Sequence, residues 1–312
     1  MLITAIWPIF ALICLGFVLR RSGFPSAAFW PAAERLNYFV LFPALLFSSL
    51  AAAPVRDPQV LRLGGAALAT ILIASAAMAL ARRVRPSPAA RFGPALQGVI
   101  RFNTYLGVAV LASMGASVGA SGASALAAVY LAVAVPLVNV LSILALSGSG
   151  SGSGAGGRRG AVLLLRTIFR NPLILACLAG IAVALSGVGL PFGTGSFMKL
   201  LAQGSLPLGL LCVGAALQPE ALRKDLPALA GVSLLRLLCM PALAVAVAAL
   251  FGLETTSALV LVVFSAVPSA PTAYVLTRQL GGDGPYMAGI ITGQTLLSVL
   301  TLPLVLWACG AV

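Results

Sequence analysis

The sequence predicts an all-α polytopic membrane protein with broken helices. Of its 312 residues, 61% are hydrophobic and only 8% are charged, whereas soluble proteins carry about 25% charged residues. Apolar segments of about 20 residues, the length that crosses a bilayer, recur along the whole chain. The ninth of these segments carries two prolines three residues apart, and the fourth carries a polar run; such interruptions are typical of the discontinuous helices of transporters.

Ten transmembrane spans fit the apolar pattern, with short connections between them. They cover residues 2–19, 36–53, 61–81, 94–115, 123–146, 171–190, 197–218, 226–251, 256–276 and 285–309. The longest connection, 147–170, begins with alternating Ser and Gly at residues 147–154 and predicts a flexible cytoplasmic linker. It divides the chain into a first five-helix repeat, 1–146, and a second, 171–312.

The basic residues predict the orientation of the spans. The chain has a net charge of +13, and most Lys and Arg lie in the connections after spans one, three, five, seven and nine, with Arg101 counted in the second of these. By the positive-inside rule these connections are cytoplasmic. We therefore expect a multi-pass protein of the cell (inner) membrane with both termini outside. This placement between apolar spans indicates a membrane protein and no nucleic-acid partner.

The two halves share a spacing of Pro and Gly residues. Matches 164 positions apart are Pro8 and Pro172, Gly16 and Gly180, Gly23 and Gly187, and Pro43 and Pro207. Because each half has an odd number of spans, the second half enters the membrane from the opposite side. The pattern predicts two inverted five-helix repeats, in which the fourth span corresponds to the ninth.

The ninth span contains the clearest predicted break, at residues 267–274. Pro268 and Pro271 each remove a backbone donor, and broken backbone persists at membrane depth only where protein or a polar cavity surrounds it. We predict that backbone N–H groups near Thr272 and Ala273 face a cavity and bind a carboxylate, with Ser269 beside them. The alternative is a proline-kinked helix without a site.

The fourth span is interrupted at residues 101–107, which read R-F-N-T-Y-L-G. Asn103 is the main candidate for substrate contact there, since a neutral amide offers two donors to a carboxylate without the cost of burying a cation. Thr104 and Tyr105 are further candidates for the same pocket. The alternative role for Asn103 is to cap the half-helix that begins near Tyr105.

These motifs resemble the auxin efflux carrier family, which includes bacterial carriers and the plant PIN-type exporters. The resemblance covers nearly the whole chain, from N-Y-F-V-L-F-P-A-L-L-F-S-S-L in the second span to V-P-S-A-P-T-A-Y-V-L and I-I-T-G-Q-T-L-L-S-V-L-T-L-P-L in the last two. It implies ten helices in two inverted repeats, with helices four and nine crossing near the midplane. Helices one, two and five of each repeat would form a scaffold, and three and four a mobile domain. The fold is similar to that of bile acid–sodium symporters. Ala109 departs from the family's proline in the fourth-helix break.

The resemblance implies a secondary transporter of small organic anions such as carboxylates, working by alternating access, with the site where the broken helices cross. The substrate-binding candidates are Asn103, Thr104, Tyr105, Pro268, Ser269, Pro271, Thr272, Ala273 and Gln294. The alternatives are a sodium-coupled symporter of the bile acid type, and a channel or sensor without active transport. The expected partners are the organic anion and the lipid bilayer, and a homodimer is left open.

Other chemistry is not indicated by the sequence. The chain has no His, so a Ser–His pair is impossible and an enzyme is not expected. No metal site or cofactor is expected, because the five cysteines lie in apolar stretches without a C-x-x-C. The six acidic residues, Glu34 among them, are assigned to loops or their borders, which leaves the coupling ion, Na⁺ or H⁺, unknown. Amides such as Asn139, Gln203 and Gln294 could help to hold a cation, or could simply bond between helices.

Arg236 lies inside the eighth predicted span. A charged side chain at that depth usually faces the bundle interior or a cavity, and the functional hypothesis is that it attracts anions toward the crossing helices. The alternative, which we expect, is that the side chain snorkels to the cytoplasmic surface.

Overall fold

The computed structural model is helical throughout the residues that it describes. These are 2–51, 58–114, 120–146, 172–187, 190, 193–223 and 225–310, and no strand occurs among them. The linker 147–170 lies outside the described residues.

Fourteen α-helices account for most of the described chain. They are α1 (Leu2–Arg21), α2 (Phe29–Leu36), α3 (Phe42–Ala51), α4 (Pro58–Val84), α5 (Ala89–Ile100), α6 (Thr104–Ser113), α7 (Ala120–Leu146), α8 (Pro172–Ser186), α9 (Thr194–Ala215), α10 (Leu226–Leu234), α11 (Met240–Leu250), α12 (Thr255–Ala266), α13 (Thr272–Gln279) and α14 (Gly284–Ala308).

Two π-helical turns join successive helices without a loop. Asn37–Leu41 connects α2 to α3, and Leu235–Cys239 connects α10 to α11. A π-turn widens the helix locally and is frequent at functional sites. Each turn here carries a fully buried polar residue, Asn37 in the first and Arg236 in the second.

Six helical stretches among the described residues are long and apolar enough to cross a membrane. They are α4, α5 with α6, α7, α9, α10 with α11, and α14, and the shorter helices α8 and α12 are also apolar. Large apolar side chains such as Leu61, Leu250 and Leu300 are exposed on their outer faces. An apolar surface of this extent indicates that lipid surrounds the protein.

The helices pack in two groups. In the first, α1 packs on α9, and α3 packs on α8 and α9. In the second, α7 packs on α4 and α5, and α14 packs on α10 and α5.

This grouping corrects the expectation that the fifth helix of each repeat joins the first two. The helices at those positions, α7 and α14, lie with the interrupted helices instead. A close approach at Gly98 of α5 explains part of this arrangement. A Cβ atom there would lie 2.6 Å from Val232 of α10 and 2.9 Å from Ile290 of α14, so the missing side chain allows three helices to meet.

An ion cluster joins helix ends in the second group. Arg91 near the start of α5 pairs with Asp225 before α10, and its other terminal nitrogen lies 3.6 Å from Asp283 before α14. Asp283 also caps α14 by accepting the Tyr286 N–H at 2.9 Å. The chain turns between α13 and α14 at residues 281–283, where Gly281 has a φ of 73°.

Candidate functional site

The helix of the fourth predicted span is interrupted at Arg101–Phe102–Asn103. The interruption needs no proline. Arg101 and Asn103 have extended backbone angles, with ψ values of 127° and 104°. The Asn103 side-chain oxygen accepts the Leu106 N–H at 3.2 Å, so Asn103 is the N-cap of α6.

The ninth predicted span is interrupted from Val267 to Pro271, within the stretch where the two prolines predict a break. Val267 is extended, with a ψ of 149°, and α13 begins at Thr272. Neither proline has an N–H to continue the ladder of α12. The interruption is buried, with Val267 and Ser269 at 0% exposure, as broken backbone in a membrane requires.

The two interruptions contact each other directly. The Asn103 N–H donates to the Pro268 carbonyl oxygen at 2.8 Å. The Ser269 hydroxyl and the Gln294 amide nitrogen both donate to the Gly98 carbonyl oxygen, at 3.0 and 2.8 Å. Gln294 also accepts the Ser269 N–H at 2.9 Å. Side chains therefore satisfy the backbone groups that the interruptions release.

Arg236 binds the carbonyl ends of both interrupted helices. Its guanidinium donates to Val99 at the end of α5 (3.0 Å) and to Phe264 and Val267 at the end of α12 (2.5 and 2.7 Å). The last carbonyls of a helix have no partner within the helix, and the planar guanidinium with its five donors matches three of them at once.

The expectation that Arg236 snorkels to the cytoplasmic surface is therefore wrong. The residue is 0% exposed, because the carbonyl oxygens of two helix ends replace water as its hydrogen-bond partners. Arg236 is also absent from the residues that line the cavity described next.

A cavity of about 620 Å³ lies beside the interruptions. Its walls come from α2 and the following π-turn, from both interruptions, and from α6, α7, α8 and α13. The lining residues are Pro31, Glu34, Arg35, Tyr38, Phe39, Arg101, Phe102, Asn103, Thr104, Tyr105, Val135, Val138, Asn139, Leu173, Ala270, Pro271, Thr272, Val275, Leu276 and Gln279. Most of these are apolar or aromatic, with a few polar groups near the interruptions, as in small-molecule sites generally.

Two donors among the lining residues are buried without a hydrogen-bond partner: Nη1 of Arg101 and Nδ2 of Asn103. Leaving a buried donor unpaired costs about 1–3 kcal/mol. The two residues lie two positions apart in one interruption. They offer a cation and an amide to any acceptor that enters the cavity.

The structure brings together five of the predicted site residues and separates the others. Asn103, Thr104, Tyr105, Pro271 and Thr272 line the cavity.

The remaining four predicted residues hold the interruptions in place instead. Pro268, Ser269 and Gln294 form the backbone contacts given above, and Ala273 is fully buried. The Ala273 N–H donates to the Ala270 carbonyl oxygen at 3.0 Å. The expectation that this N–H faces the cavity is therefore wrong, since the first turn of α13 uses it.

Three charged lining residues, Arg101, Glu34 and its neighbour Arg35, were not among the predicted site residues. Arg101 lies in the interruption itself, although the loop count assigned it to a cytoplasmic connection. Glu34 lies in α2, which begins seven residues before the predicted second span. The polar run R-F-N-T-Y was the sequence signal that could have identified Arg101. Among the described residues, no group of three His, Cys, Asp or Glu could hold a metal.

The described part of the chain, with its lipid-facing apolar helices, interrupted helices and cavity, is that of a multi-pass membrane protein. Residues 158–306 match the family model described as "Membrane transport protein". An uncharacterized transporter of Methanothermobacter thermautotrophicus is 26% identical over 304 residues, covering 95% of this chain and 94% of that protein. The resemblance to the auxin efflux carrier family is confirmed by these matches.

Proposed function

We propose that this protein is a secondary transporter that moves small organic anions, and that it binds their carboxylate between Arg101 and Asn103. One observation carries the proposal: Arg101 and Asn103 line one cavity, and each has a buried donor without a partner. A carboxylate accepts hydrogen bonds from both groups, and the bond from a guanidinium is charge-assisted. The apolar and aromatic walls suit the body of an organic anion.

The proposed architecture is ten spans in two inverted repeats, with the fourth and ninth spans crossing at Asn103 and Pro268. Packing at the glycines 164 positions apart supports the repeat. Gly16 of α1 lies directly against the Leu211 backbone of α9. At Gly180 of α8, a Cβ atom would lie 2.9 Å from the Phe47 carbonyl oxygen of α3. The first and sixth spans thus use equivalent glycines against the seventh and second.

The cavity extends toward the predicted cytoplasmic side. Its lining includes Pro31 and Glu34 near the start of α2, and Gln279 at the end of α13. These helix ends adjoin the connections after spans one and nine, which the positive-inside rule assigns to the cytoplasm. In an alternating-access cycle the protein would also adopt a second conformation, in which the binding site opens to the exterior.

A thermal-shift screen of purified protein tests the proposal, because a ligand stabilises the state that binds it. The panel contains mono- and dicarboxylates, each with and without sodium, and the proteins are wild type, Arg101→Gln and Arg85→Gln. Arg85 is exposed and lies outside the cavity, so it is the matched control.

We expect carboxylates to stabilise wild type and Arg85→Gln, and Arg101→Gln to bind about 10- to 100-fold more weakly, as loss of a charge-assisted hydrogen bond implies. Equal stabilisation of all three proteins would contradict the proposed site. A shift that requires sodium would favour the sodium-coupled alternative, and counter-flow in proteoliposomes separates a carrier from a channel.

A further inference from the structure

Glu34 is a carboxylic acid inside the cavity. It lies in α2, lines the cavity and is half-buried. None of the ion pairs among the described residues includes it. Burying a carboxylate without an ion partner in a largely apolar cavity is costly, and such a group is a candidate for a functional role.

The other described carboxylates have different surroundings. Glu220 is exposed and pairs with Arg21 at 3.0 Å, and Asp225 and Asp283 share Arg91 at the helix ends. Glu254 precedes α12 at the surface. Within the described part of the chain, Glu34 is therefore the carboxylate that an anion in the cavity would meet.

The titratable and charged groups around Glu34 come from several elements. Arg35 lies on the same helix and Tyr38 on the π-turn that follows, and both line the cavity. From the packed elements come Arg101, Tyr105 of α6 and Cys212 of α9, and the charge of Glu34 acts on the last two. Lys199 lies in the same helix as Cys212 but 13 positions away, which is about 20 Å.

We propose that Glu34 is a proton-binding site that is loaded together with the organic anion, so that the protein is a proton–anion symporter. The inference rests on the proposed function, because it requires an anion at Arg101 and Asn103. On loading, a carboxylate oxygen of Glu34 takes one proton from water on the cytoplasmic or external side. On release the proton returns to water on the opposite side, and no other bond changes.

Electrostatics provides the reason for joint loading. The cavity is lined by the cations Arg35 and Arg101 and by the carboxyl group of Glu34. A substrate carboxylate brings a second negative charge into the same space, and a nearby like charge disfavours ionised Glu34. Because linkage is reciprocal, a protonated Glu34 strengthens anion binding by the same factor. A cavity that closes over its load also excludes water, which further favours the neutral acid.

Calorimetric titration tests the inference. Phenylpyruvate is a suitable probe, since its apolar ring fits the walls and it stays ionised between about pH 5 and pH 8. Titrations in two buffers of different ionisation enthalpy give the number of protons taken up per anion bound. The proteins are wild type, Glu34→Gln, Glu34→Asp and the exposed control Glu220→Gln.

We expect proton uptake in wild type, Glu34→Asp and Glu220→Gln, and none in Glu34→Gln. The dissociation constant of wild type should rise by up to about tenfold per pH unit where Glu34 titrates, and that of Glu34→Gln should stay flat.

Phenylpyruvate binding without proton uptake, or uptake that persists in Glu34→Gln, would overturn the inference and leave the anion site intact. Failure of phenylpyruvate to bind any of the four proteins would overturn the inference, and the carboxylate screen above then decides the proposed function separately. Glu34→Asp guards against a folding defect, since it keeps a titrating acid at the position.

Discussion

The backbone N–H of Asn103 donates a hydrogen bond of 2.8 Å to the carbonyl oxygen of Pro268. The two residues lie in different interruptions and 165 positions apart in the sequence. Each interruption thus satisfies a group that the other leaves open. Since Asn103 also lines the cavity, the contact that holds the interruptions together lies next to the proposed carboxylate site.

We expect the variants Asn103→Asp and Asn103→Ala to rank in opposite orders for stability and for anion binding. The Oδ1 of Asn103 caps α6, while its Nδ2 has no partner. Asn103→Asp keeps an excellent cap, whereas Asn103→Ala loses it at a cost of about 1 kcal/mol. For a carboxylate ligand, Asp adds repulsion and Ala only removes the donor. We therefore expect Asn103→Ala to have a lower melting temperature than Asn103→Asp but a higher affinity for the anion. If Asp bound the anion better than Ala, Asn103 would be a cap and no more.

Arg236 should be essential to stability. Arg236→Gln leaves up to three buried carbonyl oxygens, on Val99, Phe264 and Val267, without a donor, at about 1–3 kcal/mol each. Arg236→Lys keeps the charge but loses the planar fork, so it should recover only part of the loss. Thermal unfolding in detergent measures the effect, with Arg62→Gln as the control, because Arg62 is exposed and makes one long bond of 3.4 Å to Gly252. Similar melting temperatures for the Arg236 and Arg62 variants would show that the three bonds contribute little.

The sequence predicted the interruption at Pro268 and Pro271, but it did not predict the contacts that surround it. Pro268 and Pro271 are local signals, because a missing N–H breaks a helix wherever it stands. The interruption at Asn103 has no proline and forms through partners far along the chain, Pro268 and Arg236. The role of Arg236 depends on carbonyls 28 to 137 positions away, and no periodicity encodes such a contact.

The charged lining residues were missed for a related reason. Rules for membrane sequences assign charges to loops, and Arg101 and Glu34 each lie close to the edge of an apolar stretch. Arg101 lines the cavity because α5 ends just before it, at Ile100. Glu34 lines the cavity because α2 begins at Phe29 and continues through a π-turn into α3. Helix ends, which sequence patterns define least well, decided both positions.

We expect a side chain at Gly98 to destabilise the protein. A Cβ atom there would lie 2.6 Å from Val232 and 2.9 Å from Ile290, and the Gly98 carbonyl oxygen also accepts bonds from Ser269 and Gln294. We expect Gly98→Ala to lower the unfolding free energy by about 1–3 kcal/mol, as overpacking does, and to weaken anion binding by shifting the interruptions.

Gly231→Ala is the matched control for Gly98→Ala. Gly231 is helical and exposed, and nothing lies within 4 Å of its added Cβ. Ala there should leave stability unchanged or raise it by about 0.5–1 kcal/mol through helix propensity. Equal melting temperatures for the two variants would contradict the close packing of α5, α10 and α14.

We expect the side chain of Arg85 to face the cytoplasm and that of Lys199 to face the exterior. Both side chains are exposed, and they adjoin connections that the positive-inside rule assigns to opposite sides. In a cysteine-free background, Lys199→Cys should react with a membrane-impermeant maleimide in intact cells, and Arg85→Cys only after permeabilisation. The reverse pattern would invert the topology and turn the cavity toward the exterior.

Glu34 should determine which gradient drives transport. A monovalent anion that crosses with one proton carries no net charge, so a pH gradient of one unit supports about tenfold accumulation, while a membrane potential has no effect. Without the proton, the anion crosses as a charge, and a potential of about 100 mV, worth about 2.3 kcal/mol, changes accumulation about 50-fold. We therefore expect wild type and Glu220→Gln in proteoliposomes to accumulate radiolabelled phenylpyruvate in response to a pH gradient, and Glu34→Gln to respond to a potassium–valinomycin potential instead. Wild-type uptake that follows the potential and ignores the pH gradient would remove Glu34 from the transport reaction, because a group that carries a proton must change the charge that crosses.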